Sequence, residues 1–95
     1  TYIDKAFIEK HCAGFAEYKE ACLSVSWEEL EKQSGISKAE IVQAAEIYRQ
    51  AERCIMSWCL GITQHEYGVD TIREIMNVLL LRGNIGRLGA GPTPI

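Results

Sequence analysis

The chain is short of the features that mark most function classes. No apolar run approaches the ~20 residues of a transmembrane helix; the longest is Val78-Leu79-Leu80-Leu81. Positive charge is not in excess: 10 Lys and Arg stand against 13 Asp and Glu, a formal net charge of −3. Phosphate backbones and anionic membranes are bound by clustered Lys and Arg, so neither nucleic acid nor membrane is expected as a partner. Cys12, Cys22, Cys54 and Cys59 form no Cys-x-x-Cys pair, which argues against structural zinc. They read as small, partly buried thiols of a reducing, cytoplasmic compartment. No serine lies in a Gly-x-Ser-x-Gly elbow or beside an evident base. There is no internal repeat. At 47% hydrophobic and 24% charged, the chain has the composition of an ordinary globular protein. Its 95 residues suit one small domain or part of a larger one. The start at Thr1 and the stop after Gly89–Pro94 read as boundaries inside a longer protein.

What is present patterns first as helix. Asp4 is an N-cap, with Ile3 and Ile8 at staple positions. Ile3, Phe7, Ile8 and His11 share a face, which places His11 on the core side. Gly14 breaks this helix, and a short one follows with Phe15, Tyr18 and Cys22 on its stripe. Ser26 with Glu29, and Ser37 with Glu40, are capping boxes; Gly35 ends the helix between them. From Ser37 to about Glu52 the helix has an apolar face of Ile41, Ala44, Ala45, Tyr48 and Ala51. Its wet face is Glu40, Gln43, Glu46, Arg49 and Gln50. The Ser34–Ser37 turn gives the runner-up reading, a helical interaction or helix-turn-helix-like binding module. A recognition helix needs phosphate-neutralising side chains. Between 37 and 53, Lys38, Arg49 and Arg53 are cancelled by Glu40, Glu46 and Glu52.

The pattern changes at Cys54. Cys54-Ile55-Met56-Ser57-Trp58-Cys59-Leu60 is short and nearly all apolar, as in a buried strand of a parallel sheet. In such a strand Cys54 and Cys59 point to opposite faces. A polar loop over 61–68 follows, then a helix over 69–82 with a deeply buried last turn. Gly83 closes that helix, and 84–95 read as loop. The expectation is a predominantly helical α/β fragment with four to five helices and one buried strand, 54–60. Residues 1–53 form a helical segment and 54–95 a strand-loop-helix-loop segment. Ligands of open α/β sheets bind beyond the carboxyl ends of strands, here at Leu60 to His65. Two motifs fall away. The glycine run 83–91 follows a helix instead of opening one, so it is a cap and turn, not a phosphate loop. His65-Glu66 lacks the second histidine of a zinc site, because position 69 is Val.

The block Trp58-Cys59-Leu60-Gly61-Ile62-Thr63-Gln64-His65, then Gly68-Val69, Asn77 to Arg87, Gly89-Ala90-Gly91 and Pro94, resembles the molybdopterin oxidoreductase family, in its formate dehydrogenase-like branch. Tyr2-Ile3-Asp4, Phe7-Ile8, His11, Gly14-Phe15 and Ser34-Gly35-Ile36 agree in the same order, so the resemblance covers nearly the whole chain. It implies a segment of the catalytic (alpha) subunit, within a larger Rossmann-like αβα domain. It implies molybdenum or tungsten on bis-molybdopterin guanine dinucleotide, a 4Fe-4S cluster bound outside this segment, and an electron-transfer subunit or carrier. Leu60, Gly61 and Gln64 would contact the cofactor. No catalytic or metal-ligating residue of the family falls in the chain, and Cys59 stands where the family commonly has Gly.

Overall fold

A computed structural model of the protein describes residues 3–95. Tyr2, quoted above for the resemblance, lies outside them. Among the described residues the order is α1 (Lys5–His11), α2 (Phe15–Ser24), α3 (Trp27–Ser34), α4 (Lys38–Gln50), β1 (Ile55–Trp58), α5 (Leu60–Thr63), α6 (Gly68–Leu81) and β2 (Gly91–Pro94). Helix thus dominates, with two strands in one small sheet. The chain divides into two compact units, one of residues up to Cys12 with Glu52–Ile95, the other Ala13–Ala51.

The second unit is built on its caps. Ser26 Oγ accepts from the Glu29 N–H at 3.1 Å, and Ser37 Oγ from the Glu40 N–H at 3.2 Å. Each satisfies a helix-start donor that has no partner inside the helix. Gly35 takes φ 73° at the end of α3, and the Lys38 N–H donates to the Glu31 carboxylate at 2.9 Å across the turn. The Lys38 ammonium sits 5.2 Å from the Trp27 ring centre, so the basic residue opening α4 is held by its own hairpin. The apolar face of α4 differs from expectation. Ile41, Tyr48 and Ala51 are half-buried, but Ala44 and Ala45 are exposed. Glu46 and Arg49, expected wet, are half-buried and paired at 2.7 Å, which lets their alkyl stems lie on the surface.

In the first unit, Asp4 caps α1 by accepting from the Phe7 N–H at 3.0 Å. Its own N–H donates to Leu81 O at 2.8 Å. α1 thereby packs on α6, with Ile8 and Leu79 buried. His11 is exposed, not on the core side. It stands in the last turn, where helix carbonyls favour positive charge, and its ring centre lies 4.9 Å from that of Phe7. α6 ends as its sequence predicts. Gly83 has φ 66°, its N–H donates to Leu80 O, and the Asn84 N–H donates to Leu79 O at 2.9 Å. That bond pair is a Schellman cap.

The sheet departs most from expectation. β1 is four residues, not seven, and it is not buried: its residues alternate exposed and half-buried, with Ile55 58% exposed. Cys59 already leaves the sheet to start α5. The expected loop 84–95 contains β2, which lies parallel to β1 with Ile55 opposite Gly91 and Trp58 opposite Pro94. Two prolines in four residues hide a strand from any propensity argument.

Candidate functional site at the strand ends

Because β1 and β2 are parallel, their carboxyl ends emerge on one side. The Ile95 N–H donates to Trp58 O at 2.9 Å, which sets Ile95 next to Cys59. Beyond Trp58 the chain does not form the expected polar loop. Cys59 is extended, at φ −141° and ψ −151°, and its carbonyl accepts from the Ile62 and Thr63 N–H groups at 3.1 and 3.3 Å. The Gln64 N–H then donates to Leu60 O at 3.0 Å. Leu60, Gly61 and Gln64 therefore stand on a single helical turn. Leu60 and Gln64, four apart, lie one above the other on its face.

The turn offers three chemistries side by side. Leu60 is 57% exposed and supplies apolar contact. Gly61 has nothing within 4 Å of where a Cβ would stand, so its peptide is open to close approach. Gln64 is exposed and carries an amide that both donates and accepts. His65 is exposed as well, and its Nδ1 accepts from the Tyr67 N–H at 3.3 Å. Among the described residues no group of three or more His, Cys, Asp or Glu gathers to hold a metal, and all four cysteines are free thiols.

Gly68 is a residue that sequence reasoning took for a loop flank. A Cβ there would lie 2.8 Å from Ile62 O and 3.1 Å from Thr63 O. α6 thus begins against the backbone of α5 and fixes the turn in place. A separate cleft of about 560 Å³ is lined by Phe7, His11, Leu80, Ile85 and Arg87 among others. None of Leu60, Gly61 and Gln64 lines it. Arg87, on its rim, is already engaged: Nη1 donates to Glu52 O at 2.7 Å, and Nη2 lies 3.6 Å from the Asp4 carboxylate.

The whole chain is similar to known proteins. Protein YdeP of Escherichia coli is 41% identical over 95 residues, covering 100% of this chain and 12% of that protein. An uncharacterized oxidoreductase of Mycobacterium tuberculosis is 40% identical over the same 95 residues, again 12% of its length. The alpha subunit of a formate dehydrogenase of Methanocaldococcus jannaschii is 38% identical over 93 residues, 98% of this chain and 14% of the subunit. Along its whole length the chain is thus similar to formate dehydrogenase subunits and to oxidoreductases, at 38–41% identity. It corresponds to one segment of them, since it spans only 12% of the first of these relatives. No family model matches it. Among the described residues no helix is long and apolar enough to cross a membrane.

Proposed function

We propose that this chain is one wall of the cofactor site in a formate dehydrogenase-like oxidoreductase that holds molybdenum or tungsten on bis-molybdopterin guanine dinucleotide. The observation that carries the reading is homology along the whole chain to formate dehydrogenase-like proteins, with the Gly61-Ile62-Thr63-Gln64-His65 run lying where open α/β sheets bind ligands. The local fit supports it: an exposed apolar side chain, an uncovered glycine and an exposed amide share one turn. When bound, the metal–pterin group would supply the two-electron chemistry, with an iron–sulfur cluster outside this segment as its redox partner. Leu60 would pack on the pterin, Gly61 would let a peptide group approach it, and Gln64 would offer it the donor and acceptor of its amide. Residues 54–95 form the contacting part, and residues 1–53 a helical support, within a larger Rossmann-like αβα domain. The substrate is a small molecule.

The test is metal and pterin analysis of the full-length protein expressed anaerobically. About one molybdenum or tungsten per chain is expected. Gln64→Ala is expected to weaken cofactor retention roughly tenfold, the worth of about one buried hydrogen bond. Unchanged cofactor content and activity in that variant would remove Gln64 from the site. Absence of metal and pterin in the wild type would remove the reading.

A further inference from the structure

Helix α6 starts differently from α3 and α4. Its N-cap residue, Tyr67, makes no side-chain cap bond, whereas Ser26 and Ser37 cap α3 and α4 with their hydroxyls. The first N–H donors of a helix have no partner inside it, and at α6 a single upstream residue accepts from two of them. The Gly68 N–H donates to His65 O at 3.0 Å, and the Tyr67 N–H donates to His65 Nδ1 at 3.3 Å. His65 also reaches back, its own N–H donating to Ile62 O at 3.2 Å. The same carbonyl is the one set against Gly68, 2.8 Å from where a Cβ would stand. His65 is thus bonded to α5 on one side and to the start of α6 on the other. An imidazole nitrogen that accepts carries no proton, so the ring proton stands on Nε2. The ring is further steadied by Tyr67, whose ring centre lies 6.3 Å away, within the range of aromatic pairs.

We propose that His65 is a positioning residue: in its Nε2–H form the ring holds the start of α6 against α5, and so keeps Leu60, Gly61 and Gln64 on one turn. It acts through Tyr67 and Gly68, not by touching a ligand. The need for such a lock follows from length. α5 has four residues, far fewer than a helix needs to hold by itself in water, and the Gln64 N–H bond to Leu60 O closes its one turn. α6 has fourteen and gives the turn something to lean on. A turn ordered in advance also spares a ligand the cost of ordering it on binding. What the turn meets rests on the cofactor reading; the lock itself does not. Two substitutions separate the nitrogens. Asparagine at this position puts its Oδ1 close to where Nδ1 stands and has no counterpart of Nε2. Glutamine reaches the Nε2 position and leaves Nδ1 without a counterpart.

The test is amide hydrogen exchange at single-residue resolution on the full-length protein, grown without and with molybdenum or tungsten. In the metal-free protein, His65→Ala and His65→Gln are expected to speed exchange of the Tyr67 and Gln64 amides about fivefold, the worth of about one exposed hydrogen bond. His65→Asn is expected to leave both within about twofold of wild type, since the acceptor is kept. The imidazole nitrogen NMR signals of His65 are expected to place the proton on Nε2. With metal supplied, cofactor content is expected to fall about threefold or more in His65→Ala and to hold in His65→Asn. A change at Tyr67 with none at Gln64 would overturn the proposal, because the lock would then stop short of the turn. So would a proton on Nδ1, or a His65→Asn protein no better protected than His65→Ala. Cofactor loss in His65→Asn with both amides still protected would also overturn it, by making Nε2 a ligand contact. Absence of metal and pterin in the wild type would remove the cofactor reading, while the amide and NMR results, which need no cofactor, would still decide whether His65 holds the turn.

Discussion

At the scale of single residues, two glycines carry most of the steric information. Gly83 holds φ 66°, and a Cβ on it would stand 2.7 Å from Asp4 Oδ2 and 3.3 Å from Phe7 Cγ. Gly83→Ala is therefore expected to cost about 2 kcal/mol or more, read as a fall in the urea midpoint with unchanged m-value. The C-cap role was legible because Gly follows an apolar helical stripe. The contact with Asp4 was not, because it joins opposite ends of the chain. Gly68 acts by closeness alone. In Gly68→Ala the new methyl would meet Ile62 O at 2.8 Å, and a backbone carbonyl cannot rotate aside as a side chain does. A loss of about 1–3 kcal/mol is expected, with cofactor content of the full-length protein falling more steeply than in a mutant of equal stability elsewhere. Equal losses would mean that Gly68 serves only packing.

At the scale of elements, the helices were legible wherever a cap announced them. Ser26, Ser37, Gly35 and Asp4 all perform the cap roles their positions suggest, because capping is a contest among neighbours in sequence. Ser37→Ala is expected to destabilise the chain by about 1 kcal/mol, measured by thermal or chemical denaturation. Within α4 the Arg49 guanidinium, 2.7 Å from Glu46 Oε1, donates a hydrogen bond that holds the Glu46 carboxyl below its ordinary range, against a smaller opposing effect of burial. The folded value is thus below the unfolded one. The pair adds stability above the unfolded pKa, and this is lost as pH falls through the depressed folded value. Glu46→Gln is expected to flatten the stability profile in that acidic window and nowhere else. The strands were not legible to the same degree. A parallel pair is a long-range contact, and β2 is written with prolines that are harmless only because they face outward. α5 was missed because four residues are too few to show a helical period.

At the scale of the whole molecule, Arg87 is the residue that closes the first unit. Its guanidinium joins the Glu52 carbonyl at 2.7 Å to the Asp4 carboxylate at 3.6 Å, so one side chain ties the approach to β1, the cap of α1 and the turn before β2. Arg87→Ala is expected to cost about 1–2 kcal/mol, the worth of one charge-assisted bond at a partly exposed position. Limited proteolysis should then cleave first around α1, and protection of α1 at wild-type level would show that Ile8 packing alone holds it. The same closure orders events in time. α1 docks by a bond from Asp4 to Leu81, whereas α3 and α4, in the unit over Ala13–Ala51, are capped by neighbours in sequence. During folding α1 must therefore wait for the end of α6. The intervening unit can fold meanwhile, and the slow step of the first unit is the closing of that long loop.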